Sequence, residues 1–578
     1  MELCTLRDSA KAVTLFLIFL ILVSLVGSTL NSGIALVFWS AIVAAVVLTA
    51  LVLARNVKQF TTRSVLPVIL VVLPSIIGVA AVLRFLSHYD GGIPIQFTRN
   101  DMVMNTIEAL TIHRNGGLGV GDEVKPVFLT AVISSLFYGP GTSFVPLLTM
   151  LYGNIAAATT VSVVASIFSA WFAFLSLKQA PLPVRILGTL VVGWVPFTRH
   201  LFGAVQYNGY MNIPLIYLIL ILTWVIYRTL KPAQALIWLP LLVITTLATW
   251  SPASLIPGFV LLVTACRFFI DASIDHPTRK EYVWMGLTWG SVALYFFTIS
   301  LPSLRADGDY LAAGPGNLGG EFADRLLTAA IILLLLFLLV AVIAPHRRSA
   351  DVMGLGAVTM GGWLAVFFLL LMRDAGDTRW GYYPLKMLWI STLVFATIMT
   401  VETLVKAFSE DRSEDQATQG KFYLRRFTHL ALAVVIMAAG VLLPSEYLGL
   451  RKTVLPIIAR DANIPSLEQK RLYDQLVEVF DSRPGEPVVF IRQASEPAYD
   501  GDRNRFLIQF SAPTDHDVRI HAYRDWDKKY YQLLCPLLRA WDKDATIVTS
   551  SNGLEKTKQQ VQQCNAYRHT VQYVVLDQ

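Results

Sequence analysis

Apolar runs dominate residues 12–447, and about thirteen of them approach the roughly 20 residues that a helix needs to cross a hydrocarbon layer. The connections between the runs alternate in kind. Every second one is basic: Arg55, Lys58 and Arg63, then Lys178 and Arg185, Arg228 and Lys231, Arg267, Arg279 and Lys280, His346 to Arg348, and Lys406, Arg412, Lys421, Arg425 and Arg426. Arg7 and Lys11 precede the first run. Lysine and arginine stay on the cytoplasmic side, so the N-terminus is expected inside. An odd number of spans then puts the C-terminus outside. The apolar stretch after Lys11 resembles a signal peptide, but the next run follows almost at once, after Gly27–Gly33. An uncleaved first span is therefore expected.

The other connections carry the acids, glycines and exposed aromatics. The longest, 87–126, reads HYDGGIPIQFTRNDMVMNTIEALTIHRNGGLGVGDEVK; the others are 199–211, a short TWSPAS at 249–254, 301–326 and 373–386. The apolar run 127–154 is broken by Gly139-Pro140-Gly141. Its first part is read as an interfacial or re-entrant helix and its second as the start of the fourth span.

Past residue 447 the apolar runs shrink to strand length at Val488–Ile491, Ala545–Val548 and Val571–Leu576. Helical patterns cover Ser466–Phe480, Asp525–Trp541 and Leu554–Cys564. The expected architecture is a polytopic α-helical membrane protein, 1–447, followed by an extracytoplasmic α/β domain, 448–578. No G-x-G-x-x-G follows a strand, so nothing there points to a nucleotide.

Composition agrees. Of 578 residues 55% are hydrophobic and only 15% charged, against about 25% charged in a soluble chain. The net charge of +7 sits largely in the basic connections and implies no nucleic-acid partner. Cys4 and Cys266 fall on the expected inner side. Cys535 and Cys564 form a candidate disulfide if their domain is outside. No zinc-type cysteine or histidine spacing occurs, and no Walker A sequence.

Candidate chemistry gathers in two outer connections. In 87–126, Asn100-Asp101 can cap a following helix, and Glu108 lies two turns after Asp101. One reading is a capped amphipathic helix lying on the membrane. The other makes Asp101 a general base, with Asp90 and Glu108 in reserve, because apolar surroundings raise the proton affinity of a carboxylate. In 373–386, Lys386 and the aromatics fit interface anchors. They also fit a site in which Arg379 and Lys386 grip a lipid phosphate beside Trp380, Tyr382 and Tyr383. Arg199-His200 and Tyr207-Asn208 are either anchors or part of the site lining. Asp307, Asp309 and Glu321 flank a glycine-rich stretch, which is a flexible connector or a lid. These acids are candidate oxygen ligands for a divalent cation, without EF-hand spacing, so no cofactor is assigned. The polar groups collect at one face rather than at mid-membrane, which argues against a transporter with a central site.

This arrangement resembles the GT-C superfamily of integral-membrane glycosyltransferases, in particular the actinobacterial cell-wall, arabinofuranosyltransferase-like members. The resemblance rests on the acidic outer loop with Asp101, the apolar helix 127–138 after it, and the polar C-terminal domain. It implies transfer of a sugar from a polyprenyl-phosphate donor to a cell-envelope glycan or lipid acceptor, at the outer face of the plasma membrane. Asp101 carries over as the catalytic acid of that loop. A lipid or glycolipid translocase, or a non-catalytic envelope-assembly protein, is the alternative, and a ligand-sensing receptor a third.

Overall fold

The computed structural model describes residues 3–30, 34–56, 65–89, 94, 100–117, 128–141, 145–270, 277–306, 320–343, 349–373, 381–409, 419–442, 467–483, 486–491, 530–564 and 567–576. Among these, nine helices are long and apolar enough to cross a membrane. They lie within α1 (Leu3–Leu30), α2 (Ile34–Asn56), α3 (Val65–Ser87), α6 (Leu147–Ser176), α9 (Asn212–Thr229), α11 (Leu255–Ile270, preceded by the 3-10 turn Ser251–Ser254), α12 (Arg279–Tyr295, continued by the π-turn Phe296–Ser300 and α13, Leu301–Ala306), α15 (Ser349–Leu371) and α16 (Tyr382–Ser409). Shorter apolar helices occupy α10 (Pro232–Leu247) and part of α17 (Gln419–Met437) and the π-turn after it. Helices also fill two further apolar runs, α7 (Leu182–Trp194) and α14 (Gly320–Ile343). The helical form follows from the solvent: in hydrocarbon each backbone amide and carbonyl must find its partner within the same segment.

Burial ranks the helices. The apolar windows of α16 and α9 are 89% and 83% buried, whereas those of α2 and α12 are 11% and 17%. The first two form the centre of the bundle; the second two turn leucine, valine and tryptophan outward, as lipid-facing helices do. Close approach of helices depends on small residues. A Cβ at Gly361 of α15 would strike the backbone of Leu255 and Ile256, and one at Gly354 would strike the Tyr227 ring.

Three shorter helices lie between the long ones: α4 (Asn100–Asn115), α5 (Leu129–Leu136) and α8 (Phe202–Asn208). Two expectations need correction here. Helix α5 does not lie at a lipid interface, since Leu129 through Ser135 are all buried. It packs against α4, α6, α1 and α2. Nor is α4 an amphipathic helix with one face free of protein: Met102, Thr106, Ile107, Ala109, Leu110, Ile112 and His113 are buried in the bundle. Polar residues on α4 find partners on α5 and α6, and this holds the helix inside.

The C-terminal residues form α18 (Leu467–Asp481), β1 (Val488–Ile491), α19 (Tyr530–Trp541), β2 (Ala545–Thr549), α20 (Leu554–Gln562) and β3 (Val571–Val575). The strands make a parallel sheet in the order β1-β2-β3, with Val489 beside Ile547 and Ile547 beside Tyr573. Alternating strands and helices give this form because parallel neighbours need a crossover. Cys535 of α19 and Cys564 just after α20 form a disulfide. The unit is joined to the helical bundle. Asp481 Oδ1 accepts from the Leu147 amide at the start of α6, at 3.0 Å. This carboxylate fills a donor that the first turn of a helix leaves open. Leu472, Leu476, Val477 and Phe480 join the apolar core of the bundle.

Candidate functional site

Four expected outer connections converge on one side chain. Lys386 stands in the second turn of α16, almost fully buried. Its Nζ lies 3.2 Å from Asp101 Oδ2, in the first turn of α4. The same ammonium sits 4.2 Å from the centre of the Tyr210 ring and 5.5 Å from that of Trp250. Aromatic faces attract a cation through their quadrupoles, most strongly where water is excluded. Trp389, one turn beyond Lys386, meets His200 edge-on at 5.6 Å and Tyr210 at 6.2 Å. Connections 87–126, 199–211, 249–254 and 373–386 thus supply Asp101, His200 with Tyr210, Trp250 and Lys386.

The pair is lopsided. The Lys386 side chain is 4% exposed and that of Asp101 29%. Solvent or a ligand therefore approaches from the carboxylate side. A second cation lies near: a Cβ at Gly381, the residue before α16, would overlap the Arg373 guanidinium. Arg373 thus folds over the start of the helix that carries Lys386. Among the other expected residues, Glu108 is half-buried on α4, and Tyr383 is half-buried against the core. Asp90, Arg379, Trp380, Asp307 and Asp309 lie outside the described residues, as do the side chains of Tyr207, Asn208, Glu321 and Tyr382. Among the described residues no group of three histidines, cysteines or acids is placed to hold a metal ion.

Beneath Asp101 runs a buried polar network. Asn154 Nδ2 donates to Thr106 Oγ1 at 2.5 Å, and its Oδ1 accepts from Tyr138 OH at 2.9 Å and from Asn105 Nδ2 at 3.4 Å. Asn105 Nδ2 also donates to Ser134 Oγ at 3.0 Å. His113 Nε2 donates to the Gly139 carbonyl at 2.9 Å. Gly139 has φ of +93°, a conformation that suits glycine, and this turn brings its carbonyl to the histidine. Burial lowers the His113 pKa below the usual histidine value; the bond to Gly139 opposes this more weakly. The ring is neutral at pH 7.

A small cavity of about 20 Å³ lies between α14, α15 and α16, lined by Leu333, Val358, Trp363, Leu388, Thr392 and Phe395 among others. Leu388 is two residues beyond Lys386 and so lies on a different face of α16, and the cavity lining includes neither Lys386 nor Asp101. The far end of α16 carries a second ion cluster. Arg228 grips Glu402 with two bonds, 3.0 and 3.2 Å, and reaches Asp351 at 2.5 Å; Trp224 Nε1 donates to Glu402 at 3.3 Å. Arg228, which the sequence presents only as a charge of a basic connection, ties α9, α15 and α16 together.

Sequence reasoning did not single out Tyr210, Trp250, Trp389, Arg373 or Asn154. Trp389 follows Lys386 at i+3 and so shares its helix face, and Asn154 is a lone amide in an apolar run; these were the available signals.

No protein-family model matches the chain, no curated protein matches its sequence, and no solved structure matches its fold. The fold defines a polytopic helical membrane protein. Among the described residues, the ion pair of Lys386 and Asp101 under its aromatic cover is the candidate site.

Proposed function

We propose that the protein is a GT-C-like membrane glycosyltransferase, of the arabinofuranosyltransferase-like cell-wall type, which moves a sugar from a polyprenyl-phosphate donor to a cell-envelope glycan or lipid acceptor. The observation that carries this reading is the contact of Lys386 with Asp101 beneath Tyr210 and Trp250. A lipid phosphate competes with Asp101 for the Lys386 ammonium. Once the phosphate holds the cation, the Asp101 carboxylate is released toward the acceptor hydroxyl and takes its proton. The acceptor oxygen then bonds to the anomeric carbon, and the carbon–oxygen bond to phosphate breaks. The electron pair leaves with the polyprenyl phosphate, whose charge Lys386 and Arg379 neutralise. Tyr210 and Trp250 screen the ammonium from water, and Trp380, Tyr382 and Tyr383 are the proposed donor-lining residues.

The reading places about thirteen spans in the plasma membrane, the N-terminus inside and the C-terminal α/β unit outside, where it binds the acceptor. The Cys535–Cys564 disulfide supports the outer placement, since such bonds persist in oxidising compartments. The direct test is transfer from a lipid-linked donor by purified protein. Asp101→Asn is expected to lose turnover while inserting and folding normally; undiminished turnover removes the reading. A second reading, a lipid translocase, draws on the buried ion cluster at the far end of α16, since a helix pinned at both ends can carry two gates. It requires lipid to cross vesicles without any change in its glycosylation.

A further inference from the structure

We infer that Asn154 is the positioning residue of the site, the side chain that fixes the turn of α4 on which Asp101 stands; this rests on the glycosyl-transfer reading above. Asn154 lies two turns into α6, fully buried in a span whose other residues are apolar or carry hydroxyls. A buried amide inside such a span is held there by hydrogen bonds, because hydrocarbon offers it none. Two of the Asn154 bonds go to α4. Its Nδ2 donates to Thr106 Oγ1, which in turn donates to the Met102 carbonyl, the residue next to Asp101. Its Oδ1 accepts from Asn105, one turn after Asp101 and therefore on the same helix face. The third bond, from Tyr138, ties in the segment after α5.

The geometry explains why such a clamp is needed. Asp101 and Lys386 meet across 285 positions of sequence. Their contact holds only if α4 has a fixed place relative to α16. Helix α4 is short and lies between spans rather than crossing with them. Helix α6 packs on α9, and α9 on α16, so α6 is the frame that relates the two. Asn154 is where α4 is fastened to that frame by side-chain hydrogen bonds. A misplacement of about 1 Å in a reacting group costs on the order of 100-fold in rate.

The test uses the full-length protein and a lipid-linked sugar donor. Asn154→Ala is expected to lower kcat about 100-fold and leave the donor KM within about twofold, because Lys386 keeps its place on α16. Added to Asp101→Asn, it should bring no further loss, since it acts through that carboxylate. Thr106→Ser should retain turnover and Thr106→Val should lose it, which covers the case in which Asn154→Ala does not fold. A readout free of chemistry accompanies these. With Cys4 and Cys266 changed to serine, Asp101→Cys and Lys386→Cys should be joined by a short bismaleimide, and Asn154→Ala should sharply reduce the yield. Unchanged kcat in Asn154→Ala and Thr106→Val, an added loss on top of Asp101→Asn, or an unchanged cross-link yield each overturns the inference. Full turnover by Asp101→Asn removes the glycosyl-transfer reading instead, and the cross-link result then decides the role of Asn154 alone.

Discussion

Lys386 and Asp101 form an ion pair whose two members are buried to very different depths. The ammonium is enclosed by Tyr210 and Trp250, and the carboxylate keeps 29% of its surface. The two truncations should therefore differ. Asp101→Ala takes the carboxylate from a buried ammonium, and removing one member of a buried pair costs about 3–5 kcal/mol. Lys386→Met leaves a carboxylate that water reaches and fills the core with a side chain of similar length. Melting in detergent should show Asp101→Ala to be clearly the less stable variant, while both lose lipid-phosphate binding or turnover. Equal melting temperatures would refute the account of the asymmetry.

The far end of α16 gives a second prediction. Glu402 is 8% exposed and holds Arg228 through both oxygens. Glu402→Ala leaves the guanidinium with Asp351 alone among these partners and should destabilise the bundle by about 3 kcal/mol. Arg228→Lys should recover little, because an ammonium cannot reproduce the two-bonded fork. A double-mutant cycle over Arg228→Ala and Glu402→Ala should show strong coupling. Additive losses would mean that the contact contributes nothing.

Why were some of these residues legible in the sequence and others not? Asp101 and Lys386 stood out because charges near span ends are few. Tyr210, Trp250 and Trp389 did not, because aromatic residues at span ends are ordinary interface anchors and the sequence does not say which of them face inward. The strands at 488–491, 545–549 and 571–575 were placed to within a residue, since flanking polar segments bound them sharply. For α5 the sequence leaves an interfacial and a re-entrant helix open, because burial in protein and burial in lipid select the same apolar composition; the burial of Leu129 through Ser135 removes the first. Arg228 read only as an inner-side charge, for its partner Glu402 lies 174 positions away. Nothing in the sequence pairs Asn154 with Asn105 and Thr106 on α4, which lie 49 and 48 positions away.

His113 supplies a pH dependence. Its folded-state pKa is depressed by burial from the ordinary 6.5. The folded protein therefore resists protonation at a pH where the unfolded chain accepts it, and stability rises with pH through this range. The His113 contribution is complete above pH 6.5 and is lost as the pH falls below it toward the depressed folded value. The wild type should lose more melting temperature between pH 7.5 and pH 5.5 than His113→Gln does. Parallel curves for the two proteins would show that His113 does not titrate on unfolding.

The disulfide makes the sidedness of the chain measurable. Cys535 and Cys564 close a loop with a sequence separation of 29, and Cys4 and Cys266 are free. If the C-terminal unit is outside, an impermeant maleimide should label no cysteine of intact cells before reduction. After mild reduction it should label Cys535 and Cys564 and still spare Cys4 and Cys266. Permeabilisation should then expose Cys4 and Cys266. Opening the bond should also destabilise the α/β unit by about 3.6 kcal/mol, the chain-entropy value for a loop of this length. That loss should appear as earlier proteolysis within 530–576, while the membrane helices stay intact. Labelling of Cys266 in intact cells, or protection of Cys535 after reduction, would reverse the orientation and move Asp101 and Lys386 to the inner face.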